Sequence, residues 1–151
     1  MPLTRANAEA ELVSRGRKWL ELAELATTSS GSNADLAGPI AYGLRGLGVT
    51  LSNPTNPADA DLAGLASSSY DQLYDAAEVR MLENALSNLG ATLVDQTMGV
   101  ETLRLSQARA SLETLLERKL ALLQSRYGIG LSTLTGGTIN LDFAERLDEF
   151  A

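Results

Sequence analysis

The chain has 151 residues, 44% hydrophobic and 21% charged, and a formal charge of −7. That length fits one domain able to bury a core without staples. Cysteine and histidine are both absent, which removes disulfides, thiol chemistry, the usual zinc ligands and the common nucleophile–base pairs.

Aromatic residues are scarce, and Ala and Leu carry the apolar content instead. This favours closely packed helices over a β-sandwich, which would draw on Val, Ile, Tyr and Phe. The charge is uneven. Residues 33–99 carry eight acids against two bases, while residues 100–127 carry five bases against three acids. So acidic a mid-section argues against wrapping nucleic acid, because phosphate binding needs Lys and Arg. It is compatible with a channel through which DNA slides. The N-terminal stretch has charges at Arg5, Glu9 and Glu11 and no apolar segment, so the sequence predicts no secretory leader. No stretch reaches the ~18 apolar residues of a membrane span. A soluble setting is expected.

In chain order, the first helix is expected from about Thr4 to Leu25. Thr4 is suited to the N-cap, and Leu12, Gly16, Trp19, Leu20 and Ala23 share one face at helical spacing. Trp19 reads as a core or subunit-interface anchor. Residues 27–33 (TTSSGSN) form a polar loop. A short helix follows, with Pro39 near its first turn, Ile40, Leu44 and Leu47 inward, and Gly48 as its left-handed stop. After a second loop, 50–57, Asn56 is expected to cap a helix with Pro57 at its first position and Asp59 near its positive end. The next helix is expected to start at Ser68, with Asp71 three residues on. There Tyr70, Leu73, Tyr74, Ala77, Met81, Ala85 and Leu89 recur at steps of three and four until Gly90. Residues 91–99 read as a connector, partly extended.

The last long helix is expected from Val100 to Tyr127. Leu105, Ala108, Leu112, Leu116, Leu120, Leu123 and Tyr127 form its apolar stripe, and Leu103, Leu115 and Leu122 widen it. So broad a surface suggests two contacts, one with its own core and one with a neighbouring subunit. A central helix of a monomeric bundle accounts for it equally well. Leu105, Leu112, Leu116, Arg118, Lys119 and Leu123 are the candidate subunit interface. Arg104, Arg109, Arg118, Lys119 and Arg126 make the helix locally basic, and pairing with the acidic mid-section of another subunit is the expected use. Gly128 closes the helix.

Residues 131–141 (LSTLTGGTINL) carry no charge, and the closing DFAERLDEFA is acidic and amphipathic. Gly136-Gly137 is suited to a two-residue hairpin turn pairing Leu134 with Ile139. Leu131, Leu134, Ile139, Leu141, Phe143, Leu147 and Phe150 are the candidate docking residues of a tail that either frays or, as favoured here, meets a partner. The expected fold is mainly α. A compact bundle of four to five helices over residues 1–127 precedes an extended tail, 128–151, with or without a small β-hairpin.

The sequence carries few motifs of known chemistry. No Gly precedes Lys-Ser or Lys-Thr as in a phosphate-binding loop, and Gly128-x-Gly130 lacks a third glycine. No nucleophile elbow of the form G-x-S-x-G occurs. Asp59-Ala-Asp61 starts like a calcium loop, but Ala63 and Tyr70 stand where oxygen ligands belong. A helix-start acidic pair is the better reading. Asp71, Asp75 and Glu78 lie on one helix face. They read as a solvated face or the lining of a channel, ahead of a cation site or paired catalytic carboxylates. Neither a catalytic activity, a cofactor nor a metal is expected.

The layout resembles the head–tail connector, or adaptor, family of tailed bacteriophages. The resembling features are a small helical bundle, a long penultimate amphipathic helix, and a final long helix ending at Tyr127-Gly128 before a C-terminal tail. Ser68-Ser69-Tyr70-Asp71, then Glu78-x-x-Met81-Leu82-Glu83, Val94-Asp95 and Met98-Gly99, read like the middle of such a subunit. The likeness covers nearly the whole chain through diffuse motifs. It implies a ring, commonly of twelve subunits, in the virion neck and assembled in the host cytoplasm. The ring would sit between portal and tail, with the C-terminal tail inserted into the portal and DNA passing non-specifically. The expected partners are copies of itself, the portal protein and tail or neck proteins, with no membrane. The alternative is a monomeric helical adaptor or regulatory module binding one protein through the same tail.

Overall fold

The computed structural model describes residues 2–95 and 100–128, with side chains for 2–89 and 104–128. Helix α1 runs Arg5–Leu22. Thr4 caps it as expected, its Oγ1 accepting the Asn7 amide at 3.3 Å. The helix stops three residues sooner than its apolar face suggested. The Leu25 amide turns back to the Leu20 carbonyl at 2.8 Å, with Glu24 in the left-handed region at φ 59°. That closes the end as a glycine-type cap built on a glutamate.

Helix α2 covers Ala34–Gly46. Its N-cap is Asn33, whose Oδ1 accepts the Asp35 amide at 2.9 Å. Pro39 is inside this helix rather than in its first turn, so the bond to the Asp35 carbonyl is forgone. Gly48, at φ 81°, is the expected left-handed stop.

Helix α3, Asp59–Ala63, is one short turn. It starts two residues later than expected, because Asn56 and Pro57 are occupied elsewhere. Both accept from the Arg5 Nη1, through the Asn56 Oδ1 and the Pro57 carbonyl, at 2.7 Å each. The cap falls to Ala58, whose amide is taken by the Asp61 carboxylate at 2.9 Å.

A 3-10 turn at Ser67–Ser69 leads into helix α4, Tyr70–Asp95. The expected start at Ser68 is therefore the 3-10 turn. The expected stop at Gly90 and connector at 91–95 are corrected: the helix continues through Gly90. A mid-helix glycine is worth only about 1 kcal/mol against Ala, too little to break a helix held by packing. Helix α5 spans Val100–Tyr127, as the periodicity predicted. Gly128 closes it at φ 68°, its amide on the Gln124 carbonyl at 3.0 Å.

All regular structure among the described residues is helical, as the mainly α bundle expected. Residues 129–151, with the expected hairpin and docking tail, lie outside the described residues. None of the described helices is long and apolar enough to cross a membrane.

Helix α4 is the central element, with α1, α2 and α5 all packed on it. The main core gathers Leu12, Leu20, Leu36, Ile40, Leu44, Leu62, Leu73, Met81, Leu82 and Leu89, and α5 adds Leu105 and Leu112. Trp19 packs against this core half-buried, with Lys18 over its ring. Two glycines let helices approach. A Cβ at Gly43 would lie 2.8 Å from the Leu73 Cδ1 and 2.9 Å from its backbone oxygen, and one at Gly16 would collide with the Met81 Cε. The second neighbour is a flexible side-chain end; the first includes α4 backbone and has nowhere to go. A smaller cluster of Ala76, Val79 and Leu123 sits apart, flanked by Tyr42, Leu116, Leu120 and Tyr127.

Candidate functional site

Helices α4 and α5 form a hairpin whose seam changes character along its length. On α5, positions 105, 112, 119 and 126 are spaced by seven, which keeps them on one side of a helix. The first two are leucines and the last two are Lys119 and Arg126. On α4 the same change runs the opposite way, from Leu82 and Leu89 to Asp75 and Glu78. At that end the seam combines charge with a small apolar cluster around Leu123.

Its geometry is closely knit. Lys119 Nζ lies 3.1 Å from Glu78 Oε1, and Arg126 Nη1 lies 3.3 Å from Asp75 Oδ2. The Tyr127 hydroxyl donates to Asp75 Oδ2 at 2.7 Å. From α1, the Arg15 Nη1 meets both acids, Asp75 Oδ1 at 2.9 Å and Glu78 Oε2 at 3.2 Å, and Arg15 Nε donates to Glu11 at 2.9 Å. The guanidinium also lies over the Tyr74 ring. The Glu78 side chain is 5% exposed and that of Asp75 19%.

Titration follows the contacts. Burial alone would raise the Asp75 carboxyl. The hydrogen bonds from Tyr127 and Arg15, with the charges of Arg15 and Arg126, outweigh burial and hold it below the ordinary aspartate value. Burial would lower the Arg15 guanidinium, but hydrogen bonds to Glu11, Asp75 and Glu78 raise it instead. The Tyr127 phenol is pushed up by burial and by the Asp75 carboxylate. Elsewhere burial lifts Tyr42 to about 12, with the nearby Glu83 adding to the effect.

These contacts correct two expectations. Asp75 and Glu78 are not an open solvated face; Glu78 is buried, Asp75 is half-buried, and together they bind three cations. Of the expected row only Asp71 is exposed. The pairing of α5 bases with the acidic mid-section does occur at Lys119 and Arg126, but within one chain.

The leucines of the expected subunit interface are largely used up as well. Leu105, Leu112 and Leu123 are buried by their own chain, and Leu116 is half-buried against both clusters. Arg118 is exposed. Among the described residues, Leu122, at 44%, is the exposed large hydrophobic of the helical body.

A second polar knot, at the N-terminal end of α1, escaped the sequence reading. The Arg5 guanidinium donates through Nε to Glu9 Oε1 at 2.9 Å and through Nη2 to the Asn33 carbonyl at 2.9 Å, besides its Nη1 bonds to Asn56 and Pro57. Glu9, fully buried, accepts the Asn33 amide at 2.9 Å and the Gly31 amide at 2.7 Å. Asn33 Nδ2 in turn donates to the carbonyls of Ala26 and Thr28. One signal could have exposed it. Arg5 is the first residue of α1, where the helix dipole disfavours a cation, so a tertiary partner was needed there.

Asp59 and Asp61 are taken up by backbone amides. Asp59 accepts the Arg5 amide at 2.7 Å, and Asp61 caps α3 as described. Both act as the acids of a helix start. Among the described residues, no group of three or more acidic side chains is placed to hold a metal ion. A cleft of about 300 Å³ opens between Arg5, Ser32, Asn56 and Asp59. Every guanidinium nitrogen of Arg5 already has a bond there.

No family model, curated protein or solved structure matches the chain.

Proposed function

We propose that the chain is a structural subunit of a phage neck, assembling as a ring, dodecameric in the resembling family, between portal and tail, with DNA passing through. The observation that carries this reading is the contrast between a body that closes its own apolar faces and the apolar sequence beyond it. Among the described residues, Leu122 is the large hydrophobic left exposed. The sequence after Gly128 adds Leu131, Leu134, Ile139, Leu141, Phe143, Leu147 and Phe150, with no charge between residues 131 and 141. Apolar chemistry of that kind is suited to insertion into a portal protein. The acidic balance suits a channel that does not retain DNA, since carboxylates repel phosphates.

With Leu105, Leu112 and Leu123 committed to the subunit's own core, contacts between subunits fall to the exposed face of α5, including Arg118 and Leu122, and to other polar surfaces. A ring built on such contacts assembles best on a template. The same closure of the body favours a second reading, an adaptor that stays monomeric and binds one protein through residues 131–151.

Negative-stain imaging and light scattering of the purified chain, alone and mixed with a portal ring, separate the two. The neck subunit gives rings on the portal, and deletion of residues 131–151 abolishes docking. A chain that remains monomeric and leaves the portal bare overturns it. A complex of one chain with one partner, lacking symmetry, establishes the adaptor.

A further inference from the structure

The two halves of α5 are held by different physics. Its N-terminal half delivers Leu105 and Leu112 to the main core. Its C-terminal end delivers one fully buried leucine, Leu123, to the separate cluster with Ala76 and Val79. Leu120 and Tyr127 pack partly buried against that cluster, and the remaining hold is polar: Lys119 on Glu78, Arg126 on Asp75, and the Tyr127 hydroxyl on Asp75. A small cleft of about 90 Å³ is lined by Asp75, Lys119, Leu122, Leu123 and Arg126.

The geometry points to residues 119–128 as a releasable arm, which opens from α4 as a unit while residues 105–116 stay docked. Opening this end costs little for three reasons. The main core is left in place, because the Leu123 cluster meets it through the partly buried Leu116, which lies outside the arm. The acids under the arm are not stranded: water replaces Lys119 and Arg126 as they leave, and Arg15 on α1 still bridges Asp75 and Glu78. Beyond Leu123 and Leu120, the contacts broken are partly solvated ion pairs, which salt weakens, whereas the leucine packing that holds residues 105–116 is not screened. The arm ends at Gly128, where the sequence of the proposed docking tail begins. The bearing on docking rests on the neck reading; the arm itself stands on the contacts alone.

Amide hydrogen exchange on the intact chain tests it, in dilute buffer and in 1 M sodium chloride, where the screening length falls to about 3 Å. Exchange over 119–127 is expected to rise by about tenfold or more in salt while 105–115 holds steady. The double variant D75N/E78Q is expected to show the fast pattern already in dilute buffer. R109A/E113A, on the exposed face of the same helix, is expected to leave it unchanged. Acceleration spread evenly along α5, or no acceleration over 119–127, overturns the arm. Should the double variant fail to fold, the salt comparison on the unaltered chain decides alone.

A thiol pair, V79C/L123C, then ties the arm shut in a chain whose sequence has no other cysteine. Weaker portal capture when oxidised, restored by reductant, connects the arm to docking. Equal capture in both states breaks that connection and leaves the exchange result standing. If deletion of residues 131–151 leaves portal capture intact, it is the neck reading that fails.

Discussion

The Arg5–Glu9 knot and the Arg15–Asp75–Glu78 seam use the same side-chain chemistry for different ends. In the knot, Arg5 and Glu9 side chains are 4% and 0% exposed, and nearly every partner is backbone: the amides of Gly31 and Asn33 and the carbonyls of Pro57 and Asn33. In the seam, exposure climbs from 5% at Glu78 to 58% at Arg126, and the partners are other side chains. A knot that binds backbone fixes the path of two loops and cannot open without stranding a charge. A seam of side chains joins three helices and loosens from its wet end. Burial decides how much each contributes, and screening decides which of them responds to salt.

The sharpest way to break this comparison is Glu9→Gln. It leaves Arg5 buried beside a neutral amide and turns one acceptor into a donor facing either the Gly31 amide or the Asn33 amide. A loss of about 3–5 kcal/mol is expected from urea unfolding, little changed by salt. A loss below about 1 kcal/mol would mean the knot behaves like a surface pair. Next comes Glu78→Gln, which removes the carboxylate shared by Arg15 and Lys119. About 1–3 kcal/mol is expected, for lost hydrogen bonds to charged groups, and the loss should shrink in high salt, unlike that of Glu9→Gln.

Acid sharpens the comparison further. The Asp75 carboxyl titrates lower in the folded chain than its ordinary value of 3.8. Its contribution is therefore complete above that value and is lost as pH falls through the lower folded one. The stability gap between the unaltered chain and Asp75→Asn should hold level above about pH 5 and close as the solution is acidified below about pH 4. A gap that stays constant as the solution is acidified would contradict the ion pairing. The smallest effect is expected at Arg109–Glu113, an exposed pair on one face of α5. Arg109→Ala should change the unfolding midpoint by less than is readily measured, marking the floor for surface charge here.

Much of the helical framework was legible. Thr4, Gly48 and Gly128 punctuate the chain as their chemistry predicts, and α5 falls on the predicted residues. The expectations that failed did so for physical reasons. Gly90 reads as a stop because its intrinsic penalty is visible and the packing that offsets it is not. Asn56-Pro57 reads as a cap because nothing in that dipeptide reveals an arginine fifty residues earlier drawing on both. Asp75 and Glu78 read as a solvated face because a row of acids looks the same whether water or Lys119 lies opposite. The Arg5–Glu9 pair, four residues apart, looks like any surface pair until Asn33 closes over it.

By itself the sequence determined the helical class, the order and approximate ends of the helices, and the absence of thiol and imidazole chemistry. Those depend on short-range propensity, capping and composition. Only the tertiary structure decided which faces meet, that the acids of α4 bind bases of its own chain, and that most of the α5 leucines belong to the subunit's own core. Those outcomes depend on helix-to-helix rotation and register, which are fixed by contacts between residues fifty or sixty positions apart and leave no local trace.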